Sequence, residues 1–344
     1  MNITDYVKKY DPQNQFDVLI KTSGQVEYAW KNKIDISSLK NKKFNKVLVT
    51  GLGGSAISAD LMQNFLRDEL TLPYFVNRNY FLPKFADENT LVVVSSYSGN
   101  TEETVEVFEA ALKRNCAIVC ISTGGKVEKI AVENKIPVVK IFPGLQPRYA
   151  LGLSFFSLLK IFQELGLIEN HDAVVNEIIK MWSEMGQELS SENNKAYNLA
   201  QELTGFIPVI YSAADITSAV GYRLKCQVNE NSKLHAFHNV IPELNHNEII
   251  GWESFTEKQF NAKVIAIIDE EYHPQVKRRF EITQELARKN GVEIISLQSS
   301  RQNFKLRLME LIYLGDWITY YLAVLRGYDP TEIDNINILK KRLM

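Results

Sequence analysis

Short apolar runs alternate with amphipathic stretches along the first half of the chain. The runs are rich in β-branched residues, as expected of strands buried on both faces of a sheet, and they lie at 46–50, 72–76, 91–94, 116–122 and 138–142. Apolar residues recur at helical spacing between several of them, and an apolar helix is predicted at 149–165. Because parallel neighbouring strands need crossover connections, usually helices, this alternation predicts a doubly wound parallel α/β sheet.

The second half of the chain repeats this order of elements. Strands are predicted at 207–212, 264–269 and 292–297, and helices at 222–228, 275–289 and 306–325. We therefore predict an N-terminal domain at 1–165, a polar helical connector at 166–203 and a C-terminal domain at 204–344. Ser-Ala-Ala-Asp stands at 212–215, where the first half has a glycine-rich loop. The repeat is therefore one of architecture, not of ligand chemistry.

The third strand runs directly into a hydroxyl-rich turn. Residues 95–101 read S-S-Y-S-G-N-T, and a helical pattern follows at once, with Asn100 and Glu103 resembling a capping box. Free backbone N–H groups and the helix dipole favour an anion at such a turn, which indicates a phosphate cradle. The alternative is that these serines and threonines only cap the helix.

A glycine-rich turn, G-L-G-G-S-A at 51–56, follows the first strand. Its G-x-G-x-x-A pattern is that of a dinucleotide site, but the second strand ends without an acidic residue, and Arg78 would have to meet a 2′-phosphate instead. In the other interpretation the turn approaches a single phosphate, with Ser55 as donor. A flavodoxin-like strand order would bring Ser55 next to the hydroxyls of 95–101, which favours a phosphomonoester over a dinucleotide.

Composition and charge narrow the class of protein. The chain has 344 residues, 45% of them hydrophobic and 23% charged, as in a soluble protein of two domains. Its net charge of -2 gives no reason to expect a nucleic-acid or anionic-membrane partner. The N-terminus has no apolar core for a secretory signal, no run approaches the length of a membrane span, and the three cysteines match no metal spacing. We expect a cytoplasmic protein.

Several motifs resemble those of a known family. The turns G-L-G-G-S and S-S-Y-S-G-N-T-E-E-T are similar to those of the sugar isomerase (SIS) fold, which binds phosphosugars. Four further stretches resemble the bifunctional phosphoglucose/phosphomannose isomerases: Q-P-R-Y-A at 146–150, N-E-N-S-K at 229–233, P-E-L-N-H-N-E at 242–248 and I-N-I-L-K at 336–340. The resemblance covers essentially the whole chain and implies two SIS-type, flavodoxin-like doubly wound parallel-sheet domains.

The resemblance also implies a function and the residues that perform it. It implies an aldose–ketose isomerase that interconverts glucose 6-phosphate and mannose 6-phosphate with fructose 6-phosphate through a cis-enediolate, without a metal or cofactor. The catalytic residues would be Glu230 as the base, His246 as the ring-opening group, Arg148 and Lys340. The substrate phosphate would be bound by Gly53, Gly54, Ser55, Ser96, Ser98 and Thr101. In relatives the histidine comes from the partner subunit, which implies a homodimer.

These residue types suit that chemistry. Aldose–ketose interconversion moves one proton between C1 and C2, so one carboxylate is enough, and a positioned general base contributes about 10²–10⁴-fold. Glu230 lies at the C-terminal end of a predicted helix, where the negative end of the helix dipole opposes a carboxylate. Histidine titrates in the range needed to protonate a ring oxygen, and a fixed positive group such as Arg148 would stabilise an enediolate.

Three other functions stay open. A non-catalytic phosphosugar-binding or regulatory protein would keep the serines but tolerate Glu230→Gln. An NADP-dependent enzyme would use the glycine-rich turn and Arg78. His235 and His238 form an H-x-x-H motif close in sequence to His246, which would suit zinc, although an isolated H-x-x-H is a weak signal. The relative activity on the two aldoses stays open as well.

Overall fold

The computed structural model describes residues 2–257 and 261–343, which form two compact units. We call Thr22–Lys180 the N-terminal unit. The C-terminal unit consists of Met181–Met344 together with Met1–Lys21. These units are not tests of the domain boundaries expected after residues 165 and 203, which therefore stay predictions.

The elements are numbered in chain order. The helices are α1 (Ile3–Tyr10), α2 (Gln15–Ile20), α3 (Thr22–Lys31), α4 (Gly54–Phe65), α5 (Glu102–Lys113), α6 (Gly125–Glu133), α7 (Leu151–Glu164), α8 (Asp172–Leu189), α9 (Lys195–Leu203), α10 (Ser218–Ser232), α11 (Pro274–Lys289), α12 (Phe304–Leu325) and α13 (Asp334–Leu343). The strands are β1 (Lys46–Thr50), β2 (Tyr74–Asn77), β3 (Thr90–Ser96), β4 (Ala117–Ser122), β5 (Val138–Lys140), β6 (Ile207–Ala213), β7 (Phe237–Ile241), β8 (Ala262–Ile268) and β9 (Glu293–Gln298). Four short 3₁₀ segments lie among the described residues, at Ser37–Leu39, Pro147–Tyr149, Glu243–His246 and Glu248–Glu257.

The N-terminal unit is built on a five-stranded sheet in the order β2-β1-β3-β4-β5, with every pair of strands parallel. This is the flavodoxin-like order, and it confirms the predicted doubly wound sheet. β3 and β4 are buried along their whole length, which explains their continuous apolar sequences. The order places β1 beside β3, with Thr50 paired to Val94, so the turns that follow these two strands are neighbours.

Helices cover this sheet with apolar faces. Phe108 and Ala111 on α5 pack with Val92 of β3 in one core cluster. Phe65 of α4 packs edge-on against Phe155 of α7, with the ring centroids 5.3 Å apart. Burial of each aromatic or aliphatic side chain of this size stabilises the folded state by roughly 1.5–3 kcal/mol. The turns at the strand ends are therefore supported by a well-packed core.

The C-terminal unit is built on a four-stranded sheet in the order β7-β6-β8-β9, again with every pair parallel. The predicted strands correspond to β6, β8 and β9, whereas β7 was not predicted. Its sequence, F-H-N-V-I, includes a polar His-Asn pair, which is tolerated because β7 pairs only with β6 and lies at the edge of the sheet. An edge strand lacks the continuous apolar run that marks its buried neighbours.

Helix α12 forms the centre of the C-terminal unit. It is 22 residues long and apolar enough to cross a membrane by length and composition, so the expectation that no run approaches a membrane span is wrong. Its apolar window is 89% buried inside the protein, as in a core helix. A buried ion pair joins it to α10, since Arg223 donates to both carboxylate oxygens of Asp316 at 3.0 and 2.7 Å.

Candidate functional site

The first candidate turn links β1 to α4 at the carboxyl edge of the N-terminal sheet, where the parallel strands end. Gly53 has a left-handed φ of +52°, and α4 begins at Gly54. A Cβ on Gly54 would lie 2.6 Å from the carbonyl oxygen of Pro147. A Cβ on Gly51 would lie 2.7 Å from the carbonyl oxygen of Ser95. Glycine is required here because the turn contacts the backbone of two other segments.

The second candidate turn links β3 to α5 and is held together by its own hydroxyl groups. Ser96 Oγ lies 3.1 Å from Thr101 Oγ1 and accepts a hydrogen bond from the Gly99 amide at 3.1 Å. Ser98 is exposed, and its Oγ accepts from the Asn100 amide at 3.2 Å. Ser96 therefore shapes the turn from within, while Ser98 presents its hydroxyl to solvent.

The capping box expected from Asn100 and Glu103 is wrong. Thr101 is the N-cap of α5 and makes no side-chain cap hydrogen bond. The Asn100 side chain instead accepts from the Lys126 amide at 3.0 Å and donates to the Ser98 carbonyl at 3.1 Å. Helix α4 also has no side-chain cap, so no capping side chain occupies the N-terminal amide groups of either helix, although the Ser55 amide donates to the Leu52 carbonyl at 3.1 Å.

A third turn, at 122–125 between β4 and α6, interlocks with the second. Thr123 Oγ1 donates to the Tyr97 carbonyl at 2.7 Å. A Cβ on Gly99 would lie 1.7 Å from the carbonyl oxygen of Gly124, so the two turns touch through their backbones. Sequence analysis missed this turn, although S-T-G-G directly after a strand is the same kind of signal as the hydroxyl-rich run at 95–101.

Arg148 lies beside the first turn, on the 3₁₀ segment Pro147–Tyr149. Its side chain is 3% exposed, and its guanidinium carbon lies 5.3 Å from the centre of the Tyr149 ring. Gln25 of α3 donates to the Tyr149 carbonyl at 2.8 Å and fixes this segment from the other side. Because Gly54 touches the Pro147 backbone, the arginine is held next to the N-terminus of α4.

The N-terminal unit thus brings seven of the predicted site residues to one edge of one sheet: Gly53, Gly54, Ser55, Ser96, Ser98, Thr101 and Arg148. Ser55 lies on the first turn of α4 and is 7% exposed. Within residues 2–257 and 261–343 its hydroxyl has no hydrogen-bond partner. Backbone amides, hydroxyls and a guanidinium are the donors that an anion needs.

Glu230 lies in the last turn of α10, in the C-terminal unit, and its side chain is half-buried. Its neighbours in N-E-N-S-K are used to hold the helix end. Asn231 Nδ2 donates to Thr319 Oγ1 at 3.0 Å, and Ser232 Oγ donates to the Thr319 carbonyl at 2.8 Å. Asn229 Nδ2 donates to the Leu234 carbonyl at 2.8 Å. These bonds leave the glutamate on a fixed segment.

The end of α10 is also closed by two basic side chains. Lys233 is the C-cap residue with a left-handed φ of 50°, and its Nζ donates to the carbonyls of Asn231, at 3.1 Å, and of Asp329. Arg326 donates to the Ser232 carbonyl at 3.1 Å. Positive groups at the last carbonyls offset the negative end of the helix dipole. The electrostatic field at Glu230 therefore depends on Lys233 and Arg326 as well as on the helix dipole.

His246 is exposed at the end of the 3₁₀ segment Glu243–His246. Its neighbours again hold the backbone, because Leu244 is fully buried and Asn245 Nδ2 donates to Thr283 Oγ1 of α11 at 2.8 Å. Glu248 accepts two further hydrogen bonds on the other side. The segment presents the imidazole while its neighbours are anchored.

Glu230 and His246 lie at opposite edges of the C-terminal sheet. Helix α10 follows the carboxyl end of β6 and runs back, so its last turn lies at the amino edge. Strand β7 is parallel to β6 and carries the chain to the carboxyl edge before the His246 segment begins. Five strand residues span roughly 15 Å. Within one chain, the two side chains therefore do not meet at a single edge of this sheet.

Comparison with known proteins identifies the family. A sequence model of the bacterial phospho-glucose isomerase C-terminal SIS domain matches residues 192–343. The bifunctional phosphoglucose/phosphomannose isomerase of Caldicellulosiruptor bescii is 40% identical over 336 residues, which cover 95% of this chain and 98% of that protein. The chain belongs to the family of bifunctional phosphoglucose/phosphomannose isomerases. The resemblance found in its sequence motifs is thereby confirmed.

Two further similarities bear on this family. The D-glucosamine-6-phosphate 4-epimerase of Sulfolobus acidocaldarius is 32% identical over 67% of this chain and 71% of that protein, a shorter match than the isomerase gives. The crystal structure of glucosamine-6-phosphate deaminase from Thermotoga maritima has a TM-score of 0.66 at 15% identity, covering 91% of this chain and 95% of that one. With the matched SIS domain, this similarity confirms the prediction of two SIS-type parallel-sheet domains.

Lys340 lies on the C-terminal helix α13, Asp334–Leu343. The side chain is exposed, as are the others of the helix from 335 to 343. Its placement in the C-terminal unit is clear, whereas its role in this isomerase family member stays a prediction.

The structure weakens the two ligand alternatives. His238 Nε2 lies 2.8 Å from Ser212 Oγ, and burial, helped by Lys225, lowers the pKa of His238 to about 4. Among the described residues no group of three or more His, Cys, Asp or Glu side chains is arranged to hold a metal ion. Arg78, the residue required for a 2′-phosphate, is paired with the carboxylate of Asp60.

Proposed function

We propose that the chain interconverts glucose 6-phosphate and mannose 6-phosphate with fructose 6-phosphate. Membership of the isomerase family is the starting point. The observation that carries the proposal is the convergence of three polar turns and Arg148 at the carboxyl edge of the N-terminal sheet, because a phosphomonoester needs many donors in a small space. The activity is cytoplasmic and needs no cofactor in this proposal.

The substrate phosphate binds to the first two turns. Gly53 and Gly54 let the backbone approach it, and Ser55 and Ser98 donate hydroxyl groups. The first-turn amides of α4 and α5 complete the set of donors. The Ser96–Thr101 hydroxyl pair keeps the second turn in shape and is within the same cradle. The phosphate thus fixes one end of the sugar while the other end reacts.

Glu230 is the base that carries the proton between C1 and C2. From the aldose it removes the C2 proton, giving a cis-enediolate, and it returns that proton to C1 to form the ketose. Its half-buried position on an anchored helix end suits a group that must keep one distance to two adjacent carbons. Positioned general-base catalysis contributes about 10²–10⁴-fold to the rate.

Two positive groups and one proton donor complete the reaction. His246 protonates the ring oxygen so that the closed sugar opens before the proton transfer. Arg148 is buried and fixed, and it stabilises the negative charge that develops on the enediolate oxygens. Lys340 contributes a further positive charge in this proposal.

The active form is a homodimer in which His246 comes from the partner subunit. The supporting observation is the position of Glu230 and His246 at opposite edges of the same four-stranded sheet. One site needs both groups, so a second copy of the chain would have to supply the missing one. Each dimer would then hold two equivalent sites, as two-fold symmetry requires.

The test offers fructose 6-phosphate in D₂O in the presence of a chelator. Proton transfer by a single base predicts that glucose 6-phosphate and mannose 6-phosphate both appear with deuterium at C2, which NMR would detect. Glu230→Gln should bind the substrate and produce neither aldose. Binding of fructose 6-phosphate without any aldose formation by the unmodified protein would instead support a non-catalytic phosphosugar-binding protein.

A further inference from the structure

One partly buried polar network lies next to the His246 segment. Glu248, two residues after the histidine, accepts a hydrogen bond from the Tyr211 hydroxyl on one carboxylate oxygen at 2.7 Å. Its other oxygen accepts from Asn239 Nδ2, also at 2.7 Å. The Trp252 indole donates to the Tyr211 hydroxyl at 2.9 Å. Both carboxylate oxygens of a half-exposed glutamate are therefore committed to the protein.

The network joins three separate elements. Tyr211 lies on β6 and Asn239 on β7, while Glu248 and Trp252 belong to the next 3₁₀ segment, Glu248–Glu257, which begins two residues after His246. Tyr211 and Trp252 are 2% and 5% exposed, so the bond between them lies in a region of low dielectric, where it is strong and costly to break, while the two bonds to Glu248 are partly buried. The chain that follows His246 is therefore attached by hydrogen bonds to strands β6 and β7.

Tyr211 is a permanent donor in this arrangement. Burial and the neighbouring Glu248 carboxylate raise the pKa of the Tyr211 hydroxyl, so it keeps its proton throughout the range in which the protein works. A hydrogen bond from a neutral donor to an ionised carboxylate is among the stronger kinds. The geometry, with two donors at 2.7 Å on one carboxylate, indicates a rigid attachment.

We propose that Glu248 is a positioning residue that holds His246 at the ring oxygen of the substrate by fixing the 3₁₀ segment to Tyr211 and Asn239. Asn245 holds the other side of the histidine through its bond to Thr283 of α11. Glu248 itself does not touch the substrate. This inference rests on the proposed function, since it assigns the support of the ring-opening group.

The inference separates two steps of the reaction. A hexose 6-phosphate closes its ring through the free O5 hydroxyl and must be opened before proton transfer. An aldotetrose 4-phosphate has its terminal oxygen phosphorylated and forms no five- or six-membered ring, so it reaches the base already open. A residue that acts only through His246 should affect the first substrate and spare the second.

The experiment measures kcat and KM for glucose 6-phosphate and the rate of C2 deuterium exchange into erythrose 4-phosphate. For Glu248→Gln we expect a loss of kcat of about 10-fold or more on the ring-closed sugar, because small displacements of a catalytic group are costly. The KM for glucose 6-phosphate should stay within about 2-fold of the unmodified protein, because Glu248 does not touch the substrate. The exchange rate on erythrose 4-phosphate should also stay within about 2-fold, because this sugar needs no ring opening. Glu253→Gln makes the same chemical change at an exposed position of the same 3₁₀ segment and should have no effect.

Two further variants test whether Glu248 acts through the network and through His246. Tyr211→Phe keeps the buried ring and removes one donor, so it should show a smaller loss of the same kind even if Glu248→Gln folds poorly. In a His246→Asn background, Glu248→Gln should cost almost nothing more, because residues that act as a unit are not additive. Equal losses on both sugars, full additivity, or a normal rate for Glu248→Gln would overturn the inference. An unmodified protein that forms no aldose phosphate would overturn the proposed function instead.

Discussion

The carboxyl edges of the two sheets differ although the strands that form them share one architecture. In the N-terminal unit this edge consists of glycine-containing turns and hydroxyl groups, with a buried Arg148 beside them. In the C-terminal unit the corresponding edge is filled by Arg307, which is 1% exposed and binds the carboxylates of Asp269, Glu270 and Glu271. At the C-terminal edge the guanidinium donors are used internally, whereas at the N-terminal edge the Ser55 hydroxyl has no hydrogen-bond partner among the described residues.

The difference shows how a duplicated fold can separate two tasks. A guanidinium with three carboxylate partners is fully satisfied, so it has nothing left to offer a phosphate. The C-terminal unit places its candidate catalytic groups elsewhere, on short segments whose neighbouring side chains are bonded to the core. Under the proposed function, binding in the N-terminal unit would depend on backbone shape, and catalysis by groups of the C-terminal unit would depend on side-chain anchors.

The largest expected effect concerns the placement of Glu230 and His246 in the C-terminal unit. Glu230→Gln and His246→Asn should each be nearly inactive, with losses of about 10²-fold or more. The two variants can be co-expressed with different affinity tags and the mixed dimer purified. One of the two active sites in that dimer should then contain both an intact Glu230 and an intact His246. Statistical mixing without separation would give roughly a quarter of the unmodified activity under two-fold symmetry.

A mixed dimer as inactive as its parents would place both groups in a site formed by one chain. That result would contradict the reasoning from their positions at opposite edges of the sheet. Mixing Glu230→Gln with itself under the same protocol is the matched control, because it measures any activity gained from handling alone.

A second prediction concerns the interlocked turns of the N-terminal unit. Gly99→Ala would place a Cβ 1.7 Å from the Gly124 carbonyl oxygen at a φ of +68°, so the turns must separate. We expect a loss of more than about 3 kcal/mol in the free energy of unfolding, or failure to fold, since backbone cannot yield as a side chain does. Urea unfolding measures this loss.

Gly144→Ala provides the contrast. Gly144 also has a positive φ, of +102°, but nothing lies within 4 Å of a Cβ there. Only the conformational cost should appear, about 1–2 kcal/mol. Equal losses at both positions would show that the contact between the turns is unimportant.

The third prediction concerns His238 in the C-terminal unit. Burial lowers the pKa of His238 to about 4, so the folded state keeps it neutral while the unfolded state titrates near 6.5. As pH falls from about 6.5 to about 4 the unfolded state binds a proton that the folded state does not, and stability decreases by at most about 3 kcal/mol. Above pH 6.5 His238 is neutral in both the folded and the unfolded state, so it adds no pH dependence to the stability.

His238→Gln keeps a polar atom near Ser212 and removes the titration. Thermal unfolding followed from pH 7 to pH 4 should show a shallower decline for this variant than for the unmodified protein. The same substitution at the exposed His235 should leave the original decline in place. An unchanged decline in His238→Gln would assign the pH dependence to other groups.

The smallest expected effect tests the anchor behind Glu230. Thr319→Val removes the hydroxyl that accepts the buried hydrogen bond from Asn231 Nδ2, at a cost of about 1–2 kcal/mol. The kcat for glucose 6-phosphate should decrease more than KM changes, because the helix end shifts. Thr319→Ser restores the hydroxyl and should restore both values. A stable variant with unchanged kcat would mean that Glu230 does not depend on this bond.

The sequence predicted the elements that bury continuous apolar runs and missed those fixed by distant partners. β3 was visible because L-V-V-V is buried on both faces, whereas β7 was missed because F-H-N-V-I is an edge strand. The anchor of Asn231 lies 88 residues away at Thr319, a separation at which no local pattern exists. The capping box was wrong because Asn100 had a tertiary partner, the Lys126 amide, that a local motif does not reveal.

The most direct measurement compares Glu230→Gln with the unmodified protein in two assays on one sample. Titration with fructose 6-phosphate should give similar dissociation constants, because under the proposed function the N-terminal turns would bind the phosphate in both proteins. Deuterium incorporation at C2 of the aldose products should be at least about 10²-fold slower in the variant, since its amide cannot carry the proton. Deuterium incorporation at the unmodified rate would contradict the assignment of the base, and with it the division of tasks between the two units.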